Sequence, residues 1–133
     1  MSTFTVGQEL TLKSYAIDRA LLVAYANASG DQNPIHQNEE FAKSVGLPDV
    51  IAHGMLTMAL AGKFLSDIAG TAAVKEFSAR FTKPVVVPAG TTVYLNVSGK
   101  VASIEEARAK IEITAEVDGV KVLGMAKAII SLV

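Results

Sequence analysis

Apolar positions recur along this chain with two periods, and the change from one to the other outlines the fold. From Glu9 to Tyr15 they alternate, Leu10 and Leu12 against Thr11 and Lys13, which predicts a first strand. From Arg19 to Ala28 they fall every three or four residues, at Leu21, Leu22, Tyr25 and Ala28, with Asp18 placed to cap the helix start and Gly30 to end it. Asn38 is set to cap a short helix over Glu39 to Val45, stopped by Gly46 and Pro48. Gly54 to Ala69 then forms the longest helical stretch. Met55, Leu56, Met58, Ala59, Leu60, Ala61, Phe64, Leu65 and Ile68 leave it almost no polar face beyond Lys63 and Asp67. A helix apolar all round is expected to be buried, its methionine and leucine stripe serving as core.

The second half returns to strand-like composition. Val74 to Lys83, Thr91 to Ala102, Ala107 to Val117 and Val120 to Val133 are the expected strands, with Pro84, Pro88 and Gly90 closing the first and Asp118-Gly119 signalling a tight hairpin between the last two. One strand, then helices, then four meandering strands predict an α+β fold with an antiparallel sheet curled around one long central helix. No linker or repeat divides the chain, so residues 1–133 are read as one domain.

Composition narrows the function. Half the residues are apolar and 19% charged, rich for 133 residues and in keeping with a subunit interface or an acyl channel. The net charge of −1 and the lack of any Lys/Arg run leave no footprint for nucleic acid. Without cysteine there is no disulfide, thiolate zinc site or cysteine nucleophile, and two histidines make a poor metal site. No signal peptide is visible at the N-terminus, and the uncharged stretch between Asp49 and Lys63 is too short to span a bilayer. A cytoplasmic protein is expected.

Both histidines lie near the polar turn Gly30-Asp31-Gln32-Asn33-Pro34-Ile35-His36 and the segment Ile51-Ala52-His53-Gly54. Asp31 alone reads as a turn residue after a helix-ending glycine, and Asn-Pro is a common turn. Together, Asp31 and His36 form a candidate proton-transfer pair, because a carboxylate can fix the tautomer of an imidazole and raise its basicity. Gly54, at the positive end of the apolar helix, offers an N–H to a developing oxyanion, and its missing side chain lets a substrate come close. Asn33 can orient the pair or hold the loop, and His53 can hold the loop or join the chemistry, the holding role being favoured for both. Arg80 and Lys83, late in the second strand, are candidates for a carrier-phosphate contact or plain exposed charges.

The run Tyr25-Ala26-Asn27-Ala28-Ser29-Gly30-Asp31-Gln32-Asn33-Pro34-Ile35-His36, followed by Ala42, Gly46 and Ile51-Ala52-His53-Gly54-Met55-Leu56, resembles the hydratase motif of MaoC-like (R)-specific enoyl-CoA hydratases. The wording Ser44-Val45-Gly46-Leu47 and Ile51 to Met58 is similar to the catalytic subunit of the mycobacterial-type (3R)-hydroxyacyl-ACP dehydratase. The resemblance implies a hot-dog fold and a dimer of sheets joined edge to edge, a homodimer or a heterodimer with a related subunit. It also implies Asp31 and His36 as the catalytic dyad and Gly54 as the oxyanion donor. No metal or redox cofactor is implied, and the substrate would be an acyl chain on the pantetheine of coenzyme A or acyl carrier protein. Three other functions remain in view: a hot-dog thioesterase, which attacks the carbonyl and has no need of this loop; a binding subunit, expected to have lost the dyad; and an acyl-binding scaffold, which would leave the dyad idle.

Overall fold

The computed structural model describes residues 3–133. Its elements are β1 (Glu9–Ile17), α1 (Arg19–Ser29), α2 (Glu39–Ser44), α3 (Gly54–Ala69), β2 (Val74–Phe81), β3 (Val93–Glu105), β4 (Arg108–Val117), β5 (Val120–Lys121) and β6 (Leu123–Ser131), with single 3-10 turns at Pro34–His36 and Thr71–Ala73. The strands form one antiparallel sheet in the order β1-β3-β4-β6-β2, and β5 pairs β4. This is the hot-dog arrangement, with α3 against β2, β3 and β6.

Helix ends sit where side chains can satisfy free backbone groups. Asp18 accepts the Leu21 N–H at 2.8 Å, and Asn38 accepts the Phe41 N–H at 2.9 Å. Gly30 closes α1 at φ 82°, a conformation that favours glycine. In β4, Ala109, Ile111, Ile113 and Ala115 point inward and Lys110 and Glu112 outward, so period-two patterning fixes which face meets the helix. Phe64, Leu65, Leu22, Ile17, Leu95 and Ile111 are fully enclosed at the centre. No helix among the described residues is long and apolar enough to cross a membrane.

Three expectations are corrected. Strand β4 begins at Arg108, because Glu106 and Ala107 make a tight turn with φ of 51° and 60° and no glycine to mark it. The run from 120 to 133 is two strands, broken at Val122. Within β6, Met125 at φ 49° marks the extra residue that shifts the register against β2 between Ser78 and Arg80. Finally, α3 is fully buried on one face only, at Leu56, Thr57, Ala61, Phe64 and Leu65. Met55 is 56% exposed within the single chain, because a sheet one layer thick covers only the side of a helix that it touches.

Candidate active site

After Gly30 the chain is held almost entirely by short local bonds. The Asp31 N–H donates to Ser29 Oγ at 3.1 Å, the Asn33 N–H to Asp31 Oδ1 at 3.2 Å, and the Ile35 N–H to Asn33 Oδ1 at 3.2 Å. Asn33 thus caps the 3-10 turn that Pro34 opens, and the turn delivers His36 inward to 6% exposure. One oxygen of Asp31 is spent on this turn. The other, Oδ2, lies 3.9 Å from His36 Nε2, on a side chain that is half exposed.

The tautomer of His36 follows from its far side. Nδ1 lies 2.8 Å from the Ile51 carbonyl, which can only accept, so Nδ1 carries the hydrogen. In the neutral ring, Nε2 therefore presents a lone pair towards Asp31 Oδ2. Two acceptors 3.9 Å apart are too distant for a direct hydrogen bond and well placed to share one donor molecule between them.

His53 is 1% exposed and lies beneath His36, the two rings stacked with centroids 3.9 Å apart and planes 23° from parallel. Its Nε2–H donates to the Asp31 backbone carbonyl at 3.1 Å, and Tyr25 meets its ring edge-on at 4.9 Å. Its Nδ1 is buried with no partner among the described residues. Burial pushes its pKa below the ordinary histidine value, opposed in part by the bond to Asp31. His53 is therefore held neutral, stacked on His36 and bonded to the Asp31 backbone.

Asp31, His36 and His53 each bring one ligand atom within 4.8 Å of the others. His36 Nδ1 and His53 Nε2 are already bonded to backbone carbonyls.

Gly54 opens the 16-residue helix α3, whose cap His53 supplies no side-chain bond, so Gly54 sits at the positive helix end. A cleft of about 310 Å³ lies in front, lined by His36, Ile51, Gly54, Thr57, Phe81 and Lys83. Phe81 stands so close that a Cβ on Gly54 would lie 3.2 Å from its ring. Of the two basic residues singled out earlier, Lys83 lines the cleft, while Arg80 is exposed on β2 opposite Gly124 and does not. Thr57 and Phe81 were not legible as wall residues, nor was the Ile51 carbonyl, because a backbone acceptor carries no residue signature. A larger hollow of about 620 Å³ over β1, β3 and β4, lined by Glu9, Thr11, Ser98, Lys100, Glu112 and Thr114 among others, holds no imidazole.

The MaoC like domain model matches residues 2–120, and the chain belongs to that family. The chain is 44% identical over 80 residues to the 3-hydroxyacyl-thioester dehydratase X of Mycobacterium tuberculosis, covering 59% of this chain and 28% of that protein. It is 38% identical over 84 residues to the peroxisomal enoyl-CoA hydratase 2 of Arabidopsis thaliana, covering 61% and 25%. The chain thus spans about a quarter of the length of these curated relatives. Among solved structures, a MaoC-like dehydratase superposes with a TM-score of 0.94 at 38% identity, covering 98% of this chain and 41% of that one. An unliganded R-hydratase from Pseudomonas aeruginosa gives 0.80 at 26% identity, covering 96% and 81%.

Proposed function

We propose that this member of the MaoC-like family catalyses the reversible hydration of trans-2-enoyl thioesters to (3R)-3-hydroxyacyl thioesters, with Asp31, His36 and the Gly54 N–H as its machinery. The observation that carries the reading is the 3.9 Å gap between His36 Nε2 and Asp31 Oδ2, with His36 and Gly54 lining one cleft. One water fits between them, donating an O–H to each acceptor and turning a lone pair towards the substrate.

In hydration the water oxygen bonds to Cβ while the dyad takes its proton. The electron pair of the Cα–Cβ double bond moves onto the thioester oxygen, which the Gly54 N–H stabilises as an enolate. The dyad then delivers a proton to Cα on the same face. Dehydration runs the same steps backwards, with the 3-hydroxyl leaving as water. A positioned acid–base pair contributes about 10²–10⁴-fold and one oxyanion donor about 10²–10³-fold. The two together supply most of a useful rate without a metal or redox cofactor. The names of the two curated relatives, a 3-hydroxyacyl-thioester dehydratase and an enoyl-CoA hydratase, support both the thioester and the direction-neutral form of the reaction.

The substrate is carried on coenzyme A or acyl carrier protein, with Lys83 at the cleft wall placed to meet a phosphate of the carrier arm. The working assembly pairs this chain with a second hot-dog subunit, identical or related. The ChsH1-ChsH2 complex of Mycobacterium tuberculosis, a structural neighbour at a TM-score of 0.85 and 18% identity, shares the fold of this chain. The test is the ultraviolet absorbance of crotonyl-CoA on adding the chain, alone and with a paired subunit. Loss of the conjugated-enoyl band supports the reading, and no change in either arrangement overturns it.

A further inference from the structure

The carbonyl that sets the tautomer of His36 belongs to a short extended segment, and that segment is clamped from a distance. Val50 and Ala52 bond to one side, with Val87 N–H donating to the Val50 carbonyl at 2.8 Å and Ala52 N–H to the Val85 carbonyl at 2.8 Å. Ile51 bonds to the other side, its N–H to the Ile35 carbonyl at 3.2 Å and its carbonyl to His36. Alternation along an extended chain thus points the Ile51 peptide groups at the catalytic turn for as long as the segment keeps its register. His53 and Gly54 follow directly, so the same register also places the oxyanion donor.

What fixes that register is Arg19, the first residue of α1. Its Nε–H donates to the Val87 carbonyl at 2.6 Å and its Nη2–H to Asp49 Oδ1 at 2.9 Å, and the same Oδ1 accepts the Val50 N–H at 2.6 Å. One guanidinium therefore ties together three stretches far apart in sequence. The pair is largely shielded, with side chains 25% and 13% exposed. A shielded ion pair gives back in attraction roughly what it loses in hydration, so net stability is a weak reason for its presence. Holding a register is a use for which the planar, two-pronged guanidinium is suited and a lysine is not.

We infer that Arg19, through Asp49, is a positioning residue that aims the Ile51 carbonyl at His36 Nδ1 and so keeps the Nε2 lone pair facing Asp31. The inference rests on His36 being the base, but its first readout does not need activity. The chain has only two histidines, and they should occupy opposite tautomers, Nδ1–H for His36 and Nε2–H for His53. Side-chain ¹⁵N spectra at neutral pH resolve these directly.

In Arg19→Met, His36 should show a mixture of tautomers, while kcat for crotonyl-CoA falls roughly tenfold to a hundredfold with KM little changed. The titratable groups facing His36 are Asp31 and the stacked His53, the latter resting on Tyr25, and this substitution alters none of them. Asp49→Asn retains an acceptor for Val50 N–H and Arg19, so the Nδ1–H tautomer should persist. Should Arg19→Met fail to fold, Arg19→Lys serves in its place, since one ammonium cannot span both acceptors. Wild-type tautomers with wild-type kcat in either Arg19 variant would overturn the inference. A tautomer change in a chain without hydratase activity would uphold it and defeat the functional reading instead.

Discussion

The sheet and the segment from Ser29 to Gly54 are held together by different parts of the chain. In the sheet the side chains carry the order. Alternate residues of β3, β4 and β6 are buried, and the backbone merely completes a repeating ladder. In that segment, the fixed points are backbone atoms: the Asp31 and Ile51 carbonyls, and the N–H groups of Asn33 and Ile35. Stability and chemistry are therefore separable here, and substitutions should divide accordingly.

The sharpest division is between His36 and Phe64. His36→Ala removes the group facing the shared water, so hydration should fall by about 10²–10⁴-fold with little change in thermal midpoint, and Asp31→Asn should follow it. Near-normal turnover in either variant would break the comparison at its functional end. Phe64→Ala empties a fully enclosed ring site and should cost about 3–5 kcal/mol in denaturant unfolding, while whatever remains folded keeps its turnover per active site.

Gly54→Ala falls between these. Its φ is ordinary and alanine suits a helix, so stability should hold within about 1 kcal/mol. The new methyl sits 3.2 Å from the Phe81 ring and narrows the cleft, so turnover should drop roughly tenfold. Unchanged kinetics would mean that the thioester carbonyl does not approach this N–H.

The smallest expected effect is a slope. His53 is held below its ordinary pKa by burial, so the unfolded chain takes up that proton first as pH falls. Its contribution to stability is complete above the unfolded value of about 6.5 and declines as pH drops from there towards the folded value. Thermal midpoints between pH 7.5 and 5.5 should show this loss, and His53→Gln should flatten it.

The same division explains what could be read in advance. The period-two and period-3.6 patterns located α1 and α3 and the main strands closely, because burial there acts on side chains. Asp18, Asn38 and Gly30 announced their ends because capping is side-chain and glycine chemistry. The turn at Glu106 and Ala107 was hidden, since both residues adopt positive φ without the glycine that signals it. The closeness of Asp31 and His36 was legible from their spacing, but the tautomer of His36 was not. That depends on the Ile51 carbonyl, on the stacking of His36 over His53, and on the Arg19 clamp, all of which bring together atoms far apart in the chain. The exposed flank of α3 at Met55 was misjudged because composition reports how apolar a helix is and not how many neighbours surround it.

The central claim is that Asp31 and His36 move a proton between water and the α-carbon of an enoyl thioester. It is tested most directly by incubating the chain with crotonyl-CoA in deuterated water and following the acyl group by mass and NMR. Formation of (3R)-3-hydroxybutyryl-CoA with one deuterium at Cα, abolished by Asp31→Asn, is the predicted result. Free coenzyme A appearing in place of hydroxyacyl product, or deuterated product formed equally well by Asp31→Asn, would contradict it.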